Sequence, residues 1–169
     1  VDFIGCHPMA GKETSGIFHA DRDLFRGAHF ILAPRPQSRP EHVALLERMA
    51  AYIACRDVVE TTPQKHDAII AYTSQVMHIM AVAVCDDPDL FDCKGFEGGS
   101  FRDCTRVAAL DVPLWTELFS MNAPALTKVI RNLEDNLRAY REVLERGDVP
   151  ALSEKLAWSA SRKRHMDLE

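Results

Sequence analysis

Thr62–Cys85, TPQKHDAIIAYTSQVMHIMAVAVC, divides the chain into two kinds of sequence. Thr62 offers a side-chain oxygen to the free amides of a first helical turn, and Pro63 has the fixed φ and missing N–H that such a turn tolerates. The segment predicts a helix from Pro63 to about Cys85. Its second half is apolar on most faces, the pattern of a helix buried inside a helical domain. Val76–Cys85 is the most apolar run of the chain, broken only by His78. On its own it falls short of the ~20 residues a bilayer span requires.

Downstream of this helix no strand pattern returns. Asp86 to Gly99 reads as a loop. Phe101 to Leu110 and Pro113 to Met121 read as shorter helices, and a long helix runs from about Pro124 to Glu145. Along it Ile130, Leu133, Leu137, Tyr140 and Leu144 alternate three- and four-residue steps, a narrow apolar seam suited to a neighbouring or partner helix. Gly147 ends that helix, and Asp148 and Pro150 begin the last one. Upstream the pattern changes. Val1 to Cys6 reads as a buried strand stopped at Pro8, Thr14 to Phe25 as irregular helix, Ala28 to Ala33 as a second strand and Arg56 to Glu60 as a third. Between the last two, Val43, Leu46, Met49, Ala50 and Ile53 mark one face of a helix over Glu41 to Ala54. The expected architecture is mainly α: a helical domain over 61–169, preceded over 1–60 by the closing strands and helix of an α/β domain. Because residue 1 falls inside a strand pattern, a fragment of a longer protein is expected.

Composition narrows the function classes. The 169 residues carry a formal net charge of −5 and a pI of about 5.8, which leaves no basic surplus for a nucleic-acid backbone. Arg162, Lys163 and Arg164 read as a solvated helix end. The five cysteines are odd in number and lack CxxC spacing, so neither a disulfide framework nor a zinc site is expected, and a cytoplasmic setting is. No signal peptide or membrane partner is expected.

Several residues invite chemical readings. His7 ends a strand, at the kind of sheet edge where α/β proteins bind ligands, although a lone histidine there is a weak signal and taken alone fits a structural or surface role better. His78 lies one helical turn after Ser74 on the same face, which suits either a ligand contact or a local hydrogen bond. In Glu97–Arg106, two glycines precede a helix start with Ser100 as a possible cap. Such an end favours anions. Arg102, Asp103 and Arg106 form either a surface ion-pair set or an arginine held by an aspartate and offered to a carboxylate.

Three segments taken together resemble one family. HPMAGKETSG from His7 to Gly16 resembles the His-Pro-x-Ala-Gly-x-Glu-x-Ser-Gly motif of prephenate and arogenate dehydrogenases. His66-Asp67 with Thr73–His78 resembles that family's second histidine segment. Gly98–Arg106 with Trp115 resembles its third, and the order and spacing hold along nearly the whole chain. Met77 departs from the proline that many members carry before the histidine of the second segment.

The resemblance implies a Rossmann-like nucleotide-binding remnant followed by a helical dimerisation domain. It implies oxidative decarboxylation of prephenate to 4-hydroxyphenylpyruvate with NAD or NADP, in tyrosine biosynthesis. It assigns His7 as the catalytic base and Arg106 as the anchor of the pyruvyl carboxylate. His78, Ser74, Gly99 and Trp115 become substrate contacts, with core packing the alternative for Trp115, and Glu13 and Asp103 become an ionic network at the entrance. No metal is implied. A homodimer through the C-terminal helices is. Arogenate is the alternative substrate, and a non-catalytic dimerisation module is the alternative of another class. The sequence contains no Gly-x-Gly-x-x-Gly, so the residues that hold the cofactor phosphates are not identifiable in it. The chain by itself is therefore expected to be inactive. Steady reduction of cofactor by the purified chain with prephenate would contradict that expectation.

Overall fold

The structure is a computed structural model, and it describes residues 1–12, 14 and 16–168. It forms two compact units, Val1–Leu126 and Thr127–Glu169.

The first unit opens with three strands, β1 (Gly5–Pro8), β2 (His29–Ala33) and β3 (Asp57–Glu60), in the order β1-β2-β3. β1 runs antiparallel to β2, with His7 opposite Ile31, and β2 runs parallel to β3. A parallel neighbour needs a crossover. The crossover is α1 (Pro40–Tyr52). Its apolar stripe meets the sheet: Phe30, Leu32 and Ala50 are almost fully buried, and Val43, Leu46, Ile53, Cys55 and Val58 pack around them. Ala54 adopts φ 59°, turning the chain from α1 towards β3, and its carbonyl accepts from Gly27 N at 2.8 Å. The N-terminus is tied to the start of α1, because Asp2 accepts from Arg39 N at 2.9 Å and contacts His42 Nδ1 at 2.8 Å.

The first strand differs from the sequence expectation. Pairing begins at Gly5, not Val1, and extends through His7 to Pro8. Its residues are mostly half-buried and Cys6 is exposed, so β1 is not the buried strand expected. Pro8 lies in the strand without loss because β1 is an edge, where a missing N–H costs no ladder bond. Among the described residues between β1 and β2, the helical element is a 3-10 turn at Ile17–His19.

The deciding stretch is helical as expected, with one feature the sequence does not announce. α2 (Pro63–Ile70) is capped by Thr62, whose hydroxyl accepts from Lys65 N at 3.2 Å. It passes through a π-helical turn, Ala71–Gln75, into α3 (Val76–Cys85). Such turns widen the helix by one residue and often lie at functional sites. Gln75 is buried in this turn, 5% exposed. Its Nε2 donates to Leu118 O at 3.3 Å, and its Oε1 accepts from Asn122 Nδ2 at 2.8 Å. Asn122 Nδ2 also reaches Asp67 O at 2.9 Å. These bonds fasten the middle of the helix to the end of a later one, Val112–Met121. By length and composition the whole Pro63–Cys85 helix, 23 residues, could cross a membrane, which the Val76–Cys85 run alone could not. Its polar positions instead line a cavity described below.

α4 (Gly99–Thr105) follows, then a 3-10 turn at Arg106–Ala108 and α5 (Val112–Met121). The cap of α4 is Gly98, with no side-chain bond, and Ser100 lies inside the helix, so the expected serine cap is not made. Asp111 caps α5, accepting from Leu114 N at 3.0 Å.

The second unit consists of the greater part of α6 (Ala123–Glu145) and the whole of α7 (Val149–Met166). Gly147, at φ 63°, makes the left-handed turn that ends α6, where a side chain would be strained. Asp148 then caps α7 through Ala151 N at 3.0 Å. Tyr140 OH meets Ser159 Oγ at 3.0 Å, and Lys155 Nζ stands 4.9 Å from the centre of the Tyr140 ring. Of the apolar seam, Leu137 and Leu144 remain 57% and 61% exposed, as does Trp158 of α7 at 66%.

Candidate active site

One cavity of about 950 Å³ lies in the first unit. β1 and the turn after it form one wall, with His7, Met9 and Lys12. The α2–α3 helix forms another, with His66, Ser74 and His78. α5 closes it with Trp115.

His7 enters from the antiparallel edge strand. Its Nδ1 lies 3.0 Å from Nε2 of His66, and Nδ1 of His66 lies 2.9 Å from Asp67 Oδ1. The two rings meet edge to face, with centroids 5.3 Å apart. Burial, and secondarily the neighbouring His66, holds the His7 imidazole below its usual pKa of 6.5. Both effects disfavour the imidazolium, so His7 is neutral at neutral pH and free to accept a proton. Among the described residues, the other charged or titratable groups lining the cavity are Cys6, Lys12, Arg35, Asp67, His78 and Asp111.

The π turn sets the opposite wall. His78 Nδ1 donates to Ser74 O at 3.1 Å, which leaves Nε2 of a neutral ring as an acceptor. Its ring stacks on Trp115 with centroids 3.7 Å apart and planes inclined by 28°, and Phe119 supports Trp115 at 5.2 Å. Trp115 thus lines the cavity and also packs against His78 and Phe119.

Of the sequence candidates, His7, Ser74, His78 and Trp115 share this cavity. Gly99, Asp103 and Arg106 are not among the residues lining it. Gly99 opens α4 and Asp103 is an exposed residue of that helix. Arg106, also exposed, begins the 3-10 turn whose next residue, Val107, does line the cavity. Glu13 lies outside the described residues. Among the described residues no cluster of potential metal ligands occurs.

Sequence reasoning did not single out His66, Gln75 or Asn122. His66 was visible only as part of a motif, and its contact with His7 spans 59 positions. Gln75 carried a usable signal, a polar residue beside Ser74 in an apolar helix, where a buried amide must be hydrogen-bonded.

Known proteins resemble the chain along its length. The family model for the prephenate dehydrogenase nucleotide-binding domain matches residues 1–59, and that for the prephenate dehydrogenase dimerization domain matches residues 62–158. A prephenate dehydrogenase of Lactococcus lactis subsp. cremoris is 32% identical over 142 residues, covering 81% of this chain and 38% of that protein. The crystal structure of Aquifex aeolicus prephenate dehydrogenase in complex with hydroxyphenyl propionate and NAD+ matches with a TM-score of 0.85 at 28% identity, covering 99% of this chain and 59% of that one. Synechocystis arogenate dehydrogenase matches with a TM-score of 0.81 at 26% identity, covering 97% and 61%. The chain thus spans between two fifths and three fifths of the length of these relatives. With both family models matched in order, and one of them over more than half its length, the chain belongs to the prephenate dehydrogenase family.

Proposed function

We propose that this chain is the substrate-binding portion of a dehydrogenase that oxidises and decarboxylates prephenate to 4-hydroxyphenylpyruvate in tyrosine biosynthesis, with NAD or NADP as hydride acceptor. The observation that carries this reading is the pairing of a neutral, half-buried His7 with His78 on one cavity. Residues 1–60 are read as the end of a nucleotide-binding domain and residues 61–169 as the substrate-binding and dimerisation domain.

The residues present fit one end of a dinucleotide. The cavity is at the upper end of ligand-pocket volumes, about 300–1,000 Å³, more than a single-ring diacid fills. Phe3, Gly5, Ile31 and Ala33 give it an apolar side near His7 and would flank a nicotinamide ring. When bound, that ring supplies the hydride acceptor. The rest is work for this chain's side chains. His7 takes the proton of the ring hydroxyl as the carbon bearing it loses hydride and becomes carbonyl-like. The ring carboxylate leaves as carbon dioxide, its electron pair aromatises the ring, and the proton returns from His7 to the phenolic oxygen. His78 and Ser74 contact the ring, stacked Trp115 shapes the pocket, and Arg106 holds the pyruvyl carboxylate from the rim, with Gly99 nearby in sequence and Glu13 and Asp103 as its ionic surroundings.

The same chemistry serves arogenate, which carries an amino group in place of the side-chain keto oxygen. Comparing kcat/KM for the two substrates separates them. A homodimer belongs to this reading, supported by the exposed Leu137, Leu144 and Trp158 of the second unit, and so does a cytoplasmic setting.

Calorimetric titration of 4-hydroxyphenylpyruvate into the chain, with Arg106→Ala as control, tests the proposal. Saturable binding that weakens by about 10- to 100-fold in the control is expected, the worth of a charge-assisted bond. Absence of binding to the folded chain, followed by absence of dehydrogenase activity in a version extended upstream to the length of the relatives, would leave only the dimerisation-module reading.

A further inference from the structure

The three-residue line His7–His66–Asp67 restricts where protons can sit. An ionised Asp67 only accepts, so Nδ1 of His66 must carry the hydrogen it donates at 2.9 Å. Between Nδ1 of His7 and Nε2 of His66, 3.0 Å apart, one nitrogen donates and the other accepts, so both cannot be protonated. With His7 neutral, two states satisfy these conditions. With His66 neutral, His7 donates from Nδ1 and its Nε2 is an open lone pair. With His66 an imidazolium, His7 Nδ1 is the acceptor, and a neutral His7 then carries its hydrogen on Nε2. Only the first state leaves a basic nitrogen of His7 free to face the cavity.

We propose that His66, held by Asp67, is a positioning residue that fixes His7 in its Nδ1–H tautomer and receives positive charge from it during turnover. The inference rests on the reading of His7 as the base. When His7 Nε2 takes the hydroxyl proton, the Nδ1 hydrogen moves along the existing bond to His66 Nε2, which brings the positive charge next to the Asp67 carboxylate. As the phenolic oxygen develops, both hydrogens return. No proton is lost, in keeping with a reaction whose only other products are carbon dioxide and reduced cofactor. With His66 24% exposed, its ring is shielded enough for the bond to orient it, and Asp67, 59% exposed, offers the carboxylate oxygen that bond needs. Its backbone carbonyl is further held by Asn122.

The test has two arms. Long-range ¹H–¹⁵N spectra of the histidine rings in the isolated chain read the tautomers directly. His7 is expected to show a protonated Nδ1 and a bare Nε2 above its titration. His66→Gln, whose amide oxygen still accepts from Nδ1–H, should keep that pattern, and His66→Leu should shift His7 towards the Nε2–H form that a free side chain prefers. In an active version carrying the upstream domain, His66→Leu is expected to lower kcat by about 100-fold with KM within about twofold, and His66→Gln to recover most of the loss. A bare Nδ1 on wild-type His7, or full kcat in a folded His66→Leu variant, overturns the proposal. His7→Asn is run alongside: if it also keeps full activity, the reading of His7 as base has failed, whereas if it alone is inactive, only the role of His66 has.

Discussion

His7→Asn in an active version of the enzyme lowers kcat by about 10³-fold, within the span that a positioned general base contributes. Asparagine approximates one edge of the imidazole and hydrogen-bonds, but it does not accept a proton at neutral pH. Binding of 4-hydroxyphenylpyruvate should therefore change little, because the ring contacts on the α2–α3 helix and α5 remain. The loss belongs to kcat and to kcat/KM together, the mark of an interaction made in the transition state. The wild-type pH profile carries the same information. Burial and then His66 lower the pKa of His7, so the acid limb of kcat/KM should have its midpoint below 6.5, the unperturbed value. The sign carries over to stability. The unfolded chain binds the proton more readily than the folded one, so His7's contribution is intact above 6.5 and declines as pH falls from there towards the lowered folded value. Steady-state rates across pH check both statements. A variant within about threefold of wild type would remove His7 from the chemistry.

Phe30→Ala destabilises the first unit by about 3–5 kcal/mol, the usual cost of emptying a buried phenylalanine site. Phe30 is 1% exposed, and it is packed with Leu32 and Ala50 between the sheet and α1. Among the described residues the sheet has three strands, so few neighbours can collapse into the space. Against a typical domain stability of about 5–15 kcal/mol the loss is large. It reaches function through register, because β2 pairs with β1 and holds His7 opposite Ile31. Urea unfolding followed by Trp115 fluorescence, in a Trp158→Phe background that silences the second unit, gives the midpoint shift. A change below about 1 kcal/mol would mean that the strands and α1 do not unfold with the cavity.

Each element was legible where a local rule decided it. Thr62 and Pro63 mark the start of α2 because capping is a property of a few adjacent residues. Gly147 and Asp148 mark the turn into α7 for the same reason. β1 was displaced because Val1–Ile4 are as apolar as a strand, while pairing depends on what β2 offers opposite. The site was half legible. His7, Ser74, His78 and Trp115 fall in motifs, and the structure brings them to one cavity.

The sequence by itself determined the strand-then-helix order, the caps at Thr62 and Asp148, the apolar face of α1 and membership of a family whose motifs stand in order. These follow from residue type and short-range spacing, which a linear chain displays. Tertiary structure alone decided that His66 backs His7, that Gln75 and Asn122 lock the helix holding His78, and that His78 stacks on Trp115. The π turn also emerged only there. Those facts depend on distances between residues far apart in the chain, set by how buried amides find partners and how side chains fill space. No local pattern encodes them.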